Sequence, residues 1–207
     1  MVEVLERVHH IKSILYSSDL HMENANIFIH PTADVSKNAT IGNNVKIWHN
    51  AQIREWSMIG FNCIIGKNVY IDTGVLIGNN VKIQNNVSIY RGVTVEDGVF
   101  IGPHTCFTND KYPRSINPDG TLKNSTKWNT KKTTIKYGAS IGANATIITG
   151  ITIGKFSIIG AGSVIAKDVQ PFTLYYGNPA TFKSYICKCG KKITENCMIC
   201  KMTLPNE

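Results

Sequence analysis

The sequence predicts an all-β protein, a parallel β-helix coiled from six-residue repeats with one long loop and a small cysteine-rich C-terminal tail. Three observations predict it. From Ile29 the chain divides into thirteen hexads, "IHPTAD", "VSKNAT", "IGNNVK" and onward to "IGPHTC", followed by a partial "FTND". The pattern returns at Ile135 for six more hexads, ending with "IAKDVQ". The first position is aliphatic in every full hexad, Phe107 in the partial one, and the fifth is small or β-branched.

Neither an amphipathic helix nor a simple alternating strand has a period of six. The fifth position and the next first position are two apart, so both side chains point to one side of a short strand. The residues between are Gly, Asn, Asp and Lys, suited to tight turns and left-handed backbone. A strand and a turn every six residues coil into a prism with a stacked aliphatic interior.

The elements follow in chain order. Residues 1–28 precede the clear repeat and would cover an exposed end of the solenoid, as a short helix or an extended cap. Residues 29–108 form the first coils. The period is lost over residues 109–134, an excursion long enough to be functional. Residues 135–180 form the C-terminal coils, and residues 181–207 the tail.

Composition bounds the function. A chain of 207 residues suits one domain with a sizeable core and a small appendage. No run of about 18 apolar residues is present, so no transmembrane helix is expected. The start, "MVEVLERVHHIKSILYSS", lacks the layout of a signal peptide, so a cytoplasmic protein is expected. The formal charge of +8 calls for anionic partners. Cations cluster only in "TKWNTKK" and "CKCGKK", with no arginine-rich block, which favours phosphorylated small molecules over nucleic acid.

The hexads resemble the left-handed β-helix of the hexapeptide-repeat acyltransferases over roughly Ile29 to Ala180. That resemblance implies three hexads per coil, a homotrimer, and acyl-CoA held in clefts between neighbouring prisms. Such a coil stacks Trp48-His49-Asn50, Gly66-Lys67-Asn68, Gln84-Asn85-Asn86 and Gly102-Pro103-His104 on one corner. Gln84 there replaces the usual Gly, and His49 and His104 share the edge as candidate acid–base groups or as plain turn residues. A further edge in the later hexads stacks Gly142-Ala143-Asn144 on Gly160-Ala161-Gly162, small enough for a ligand to approach the backbone.

Finer motifs narrow the resemblance. "IWHNAQI", "KIQNNVSIYRGVTVEDGVFIGPH", "FTNDKYPR" and "GASIGANATIITGITIG" resemble the nucleotide-sugar 3-N-acetyltransferases. These act on dTDP-linked 3-amino-3,6-dideoxyhexoses or UDP-linked 3-amino uronates for O-antigen and other surface glycans. The resemblance implies acetyl-CoA as the donor. It implies Asn86, with Asn85 beside it, as the group that accepts an amine N–H and aims the lone pair. His49 is the alternative, as base. Gln84, His104, Phe107, Thr108, Asn109 and Arg114 are the matching candidates for acceptor binding, with Arg91 and Arg114 for the diphosphate. Tyr112 departs from the family's Asn. CoA is expected along Ala143, Asn144, Gly160 and Ala161, then Pro179 and Ala180 of the "GNPA" motif. Thr181 follows where the family often carries a cation, leaving Lys183 nearest.

The tail "CKCGKKITENCMIC" spaces Cys187, Cys189, Cys197 and Cys200 as two knuckles for a tetrahedral structural zinc, or else as four reduced thiols. The competing functions are a non-catalytic or carbonic-anhydrase-like solenoid, or an acetyltransferase for a different small-molecule amine or hydroxyl acceptor. The carbonic-anhydrase-like solenoid needs three zinc-binding histidines, and His30, His49 and His104 are not at suitable spacings.

Overall fold

The computed structural model describes residues 26–124, 131–193, 197 and 199–201. Most of the expected N-terminal cap, and residues 125–130 of the excursion, lie outside them. Twenty-two strands, β1 to β22 in chain order, are assigned among the described residues, and no helix. Among these residues no helix is long and apolar enough to cross a membrane.

The strands stack into three sheets, one per face of a prism. The first runs β1 (Phe28–Ile29), β4 (Lys46–Ile47), β7 (Ile64–Ile65), β10 (Lys82–Ile83), β13 (Phe100–Ile101), β16 (Ser140–Ile141), β19 (Ile158–Ile159), β21 (Thr173–Gly177) and β22 (Ala180–Tyr185). The second runs β2 (Asp34–Val35), β5 (Gln52–Ile53), β8 (Tyr70–Ile71), β11 (Ser88–Ile89), β14 (Cys106–Phe107), β17 (Thr146–Ile147) and β20 (Val164–Ile165). The third holds β3 (Thr40–Ile41), β6 (Met58–Ile59), β9 (Leu76–Ile77), β12 (Val93–Val95), β15 (Thr133–Ile135) and β18 (Thr152–Ile153).

Pairing is parallel, and its register fixes the coil. Lys82 pairs with Ile64 on one side and Phe100 on the other, three hexads each way. Across the excursion Phe100 pairs with Ser140 and Ile101 with Ile141, so the loop lengthens one coil without shifting any side chain between faces. The inward positions are those of the repeat. Ile47, Ile65, Ile83, Ile101, Ile141 and Ile159 form one fully buried column. Each contributes up to about 1.5–3 kcal/mol relative to exposure.

The turns explain the asparagines. The third turn residue is left-handed at Asn44, Asn62 and Asn80 on one corner, and at Asn50, Asn68, Asn86 and Asn144 on another. Asn tolerates that conformation better than other side-chain-bearing residues. Its carboxamide also links coils: Asn44 Nδ2 donates to Asn62 Oδ1 at 2.7 Å, and Asn62 Nδ2 to Asn80 Oδ1 at 3.1 Å.

The C-terminal boundary falls differently from expectation. β21 continues the first sheet on β19, then turns back as antiparallel β22. The "GNPA" motif is the turn of this hairpin, with Gly177 at φ 109° and a cis peptide at Asn178-Pro179. The solenoid sheet therefore extends to Tyr185, and the cysteine-rich segment begins only after it.

Candidate active site

One corner carries most of the expected chemistry. Its turns follow the first sheet, and each third-residue N–H donates to the second-residue carbonyl one coil below. Thus Asn68 bonds His49, Asn86 bonds Lys67, His104 bonds Asn85, Asn144 bonds Pro103 and Gly162 bonds Ala143, all at 2.8–3.0 Å. The small Gly142-Ala143-Asn144 and Gly160-Ala161-Gly162 turns, expected on a further edge, thus continue the Gln84-Asn85-Asn86 edge itself. The pairing of Phe100 with Ser140 across the excursion returns the chain to the same corner. The expected amine site and CoA track are one continuous line.

Two hydrogen-bond series run along this line. In the first, Asn68 Nδ2 donates to Asn86 Oδ1 at 2.9 Å. Asn86 Nδ2 then stands 3.3 Å from His104 Nε2. With Asn86 oriented as donor, His104 Nε2 is the acceptor and the ring proton sits on Nδ1. His104 occupies the left-handed turn position, φ 60°, that Asn fills at 50, 68, 86 and 144. The other corner's asparagine ladder ends on an amide, whereas this one ends on an imidazole nitrogen.

In the second series, a side chain caps the N–H of the middle turn residue one coil below. Asn79 Oδ1 caps Phe61 N–H, Asp97 Oδ1 caps Asn79 N–H, and Asn85 Oδ1 caps Lys67 N–H at 2.9 Å. The next middle residue after Asn85 is Pro103, which has no polar side chain. Among the described residues no hydrogen bond is formed by the N–H of Asn85, Ala143 or Ala161. With the equally unbonded His49 N–H, four free middle-turn N–H groups lie along one edge among the described residues, and that of Asn85 is on the residue beside Asn86. The sequence reading missed this donor. Its signal was proline at a middle position where Asn79, Asn85 and Asp97 elsewhere supply the cap.

The other expected residues divide. His49 stacks on His30 at 3.5 Å between ring centroids, and its turn lies two coils from that of Asn86. At about 4.8 Å per coil it is roughly 10 Å away. Burial, then the neighbouring His49 charge, lower the His30 pKa. Phe107, expected to contact the acceptor, is fully buried in the core, because its first-position register points it inward. Thr108 Oγ1 accepts from Thr149 N–H at 3.0 Å. Asn109 and the exposed Arg114 line a shallow cavity of about 350 Å³ with Asp110, Pro113 and Ser115. The Tyr112 N–H, then the Lys123 ammonium 3.3 Å away, hold the Asp110 carboxyl below its usual pKa. Arg91 is exposed on the adjoining corner, its N–H on Asp72 Oδ2. Gln84 is half-buried beside Asn85.

At the far end of the line a Cβ on Gly160 would lie 2.6 Å from Tyr176 Cβ, so β21 packs directly on this turn. Lys183 Nζ sits 4.6 Å above the Tyr176 ring. Pro179 is exposed and Ala180 packs partly on the core. The four tail cysteines converge beyond β22, with all sulfurs within 4.8 Å of one another. Among the described residues this is the only such gathering of metal-ligating side chains; the histidines form none.

Family comparisons agree with the repeat. A model of the bacterial transferase hexapeptide (six repeats) matches residues 38–73. The hexapeptide repeat of succinyl-transferase matches residues 58–91 and 134–167, on both sides of the excursion. Stretches on both sides of the excursion thus match hexapeptide-repeat models. The chain is 44% identical over 72 residues to the dTDP-3-amino-3,6-dideoxy-alpha-D-galactopyranose 3-N-acetyltransferase of Aneurinibacillus thermoaerophilus, covering 34% of this chain and 38% of that one. It is 34% identical over 92 residues to the galactoside O-acetyltransferase of Lactococcus lactis, covering 42% and 44%. The matched stretches thus span less than half the length of these relatives. Among solved structures, UDP-N-acetylglucosamine acyltransferase from Campylobacter jejuni aligns with a TM-score of 0.53 at 17% identity, over 78% of this chain and 74% of that one. At that identity the likeness is one of fold.

Proposed function

We propose that this protein is an acetyl-CoA-dependent N-acetyltransferase acting on the 3-amino group of a nucleotide-linked sugar. The observation that carries the acceptor class is the 44% identity to a dTDP-3-amino sugar 3-N-acetyltransferase. The geometry of the Asn86–His104 edge supports the reaction type. In keeping with the family resemblance, the working unit is a homotrimer in the cytoplasm, serving surface-glycan synthesis. Zinc, proposed for the tail, takes no part in the chemistry.

The site's own groups suit each step. Asn86 Oδ1, which has a second lone pair beyond the Asn68 bond, accepts one N–H of the neutral amine and aims its lone pair. The amine nitrogen attacks the thioester carbonyl, a C–N bond forms, and the oxygen becomes an oxyanion. The uncapped Asn85 N–H donates to that oxygen. The C–S bond then breaks and the CoA thiolate leaves. The Asn86 Nδ2 bond to His104 Nε2 opens, that nitrogen takes the surplus ammonium proton, and the proton passes on to the thiolate or water. His104 serves better than His49, since its turn adjoins that of Asn86 whereas that of His49 lies two coils away. The free N–H groups of Ala143 and Ala161 meet the amide carbonyls of the pantetheine arm, and Lys183 stands near the end of the line for a phosphate. Arg91 and Arg114 offer charge to the sugar's diphosphate.

A CoA-release assay over a panel of 3-amino and 4-amino dTDP- and UDP-sugars tests the reading. A 3-amino sugar is expected to turn over at least tenfold faster than its 4-amino isomer. Turnover of none of them, by folded protein, would overturn it. His104→Asn assigns the base. Asn adopts this left-handed turn at four neighbouring coils, so folding is preserved while kcat falls by about 10²–10⁴. Unchanged kcat in that variant returns the role to Asn86 alone or to His49.

A further inference from the structure

The cysteine cluster shares no residue with the proposed acyl-transfer site, yet it is built with care. Cys187 Sγ stands 2.6 Å from Cys189 Sγ, and Cys189 Sγ 3.6 Å from Cys197 Sγ. None of the four is in a disulfide. Four sulfurs at about 2.3 Å around one ion would stand about 3.8 Å apart, so the cluster has the dimensions of a single mononuclear site.

The backbone around the sulfurs forms two turns. In the first, Cys187 N–H donates to the Lys191 carbonyl and Gly190 N–H to the Cys187 carbonyl, with Gly190 at φ 81°. In the second, Lys201 N–H donates to the Cys197 carbonyl, with Lys201 itself left-handed at φ 51°. Each turn presents two sulfurs to the same point. Among the described residues, the buried apolar cluster between them is Cys187, Ile193 and Cys197, with Cys200 packed against them. So small an apolar cluster does not hold two turns together unaided, and small folds of this kind are usually stapled.

We propose that the four thiolates bind one zinc ion, which clips the tail to the C-terminal end of the solenoid. An all-sulfur, four-coordinate set selects a borderline-soft ion and leaves no open position for catalysis. Four thiolates and one divalent ion carry a net charge of −2, and Lys188, Lys191, Lys192 and Lys201 lie in the same two turns to offset it. The clip has somewhere to attach. Ile186 N–H donates to the Phe172 carbonyl, Ile193 N–H to the Tyr185 carbonyl, and Lys188 Nζ stands 6.0 Å from the Phe156 ring. The ion joins this anchored first turn to the second. The acyl-transfer reading could fail without touching this inference.

The test is metal analysis of the full chain purified without chelator. About one zinc per chain is expected, with iron and copper near background. Cobalt added to metal-stripped protein should give the visible bands of a tetrahedral tetrathiolate centre, saturate at one equivalent and be displaced by zinc. That titration needs no variant, so it stands even if Cys200→Ser unfolds the tail. Where Cys200→Ser folds, most of the zinc is lost. Chelation should make the tail cleavable by protease while the solenoid persists. Zinc below a tenth of an equivalent with no cobalt bands overturns the proposal. So does iron in place of zinc, or a Cys187–Cys189 disulfide found by mass in protein purified under reducing conditions.

Discussion

Pro103 controls whether Asn85 offers its N–H to a ligand, and Pro103→Asn tests this. At the middle position of these turns, Asn79 and Asn85 each cap the N–H one coil below. Asparagine at 103 stands one coil above Asn85 in the same series, so its Oδ1 reaches the Asn85 N–H and occupies it. A donor aimed at a developing oxyanion is worth about 10²–10³ in kcat. The fold should scarcely notice. The new hydrogen bond contributes about 0.5–1.5 kcal/mol. Losing proline costs about 0.4–1 kcal/mol through the unfolded chain. These nearly cancel, so thermal stability stays within about 1 kcal/mol of the parent.

The assay is steady-state CoA release, read beside hydrogen exchange at the Asn85 amide. The expected result is a kcat loss of two to three decades with slowed exchange at that one amide. Pro103→Ala is the control, since alanine has no acceptor to offer and should retain kcat within a few-fold. Equal losses in both variants would mean that the proline ring matters for shape, and the oxyanion assignment would be wrong. Full activity in Pro103→Asn with a protected Asn85 amide would sink it as directly.

Three further outcomes are expected. Gly160→Ala puts a Cβ 2.6 Å from Tyr176 Cβ, so it should destabilise the β21 packing by about 1–3 kcal/mol, read by thermal unfolding; an unshifted midpoint would show that the strand moves freely. Burial, with a smaller push from Asp97, raises the Cys63 thiol from 9.0 to about 11. The folded state thus holds its proton where the unfolded chain releases it, so stability is full below about pH 9 and falls by roughly 2–3 kcal/mol as pH rises to about 11. Denaturant melts of the parent against Cys63→Ala isolate that slope, and parallel pH profiles would refute the burial argument. Finally, sedimentation should give a trimer, and an active monomer would contradict the proposed assembly.

The sequence made the solenoid legible because the period of six states both facts a β-helix needs. Inward positions carry Ile and Val, and turn positions carry Asn and Gly, so register and face are written in each hexad. The excursion was legible as a loss of period, and its register-neutral return was not, since the added length looks like any insertion until Phe100 is seen to pair with Ser140. Asn86 was picked out by resemblance, and its bond to His104 follows from the three-hexad coil. Phe107 misled because it sits in a motif associated with acceptor binding, while the hexad rule already assigned its position to the core. The uncapped Asn85 N–H was hidden for a different reason. A free donor is defined by what the next coil fails to supply, and the next coil is three hexads further along the chain.

The size of the side chains along the edge bears on where the proposed site sits along the prism. On the N-terminal side of Asn86 the edge is crowded with Trp48, His49 and Lys67. On its C-terminal side the middle residues shrink to Pro103, Ala143 and Ala161, none able to cap an N–H below. The His49 N–H is uncapped as well, so the halves differ in the bulk of their side chains, and on the proposed reading the less bulky half receives the ligand's amides. Asn86 and His104 stand at the junction, where a chain lying on the open half must end. The excursion leaves the prism from the adjoining corner at Thr108, on the same coil as His104, and carries Arg114 toward solvent beside Asn109. On the proposed reading, the thioester end of CoA and the charged end of a nucleotide sugar would approach one coil from different sides, with the Asn86–His104 pair as the place they meet.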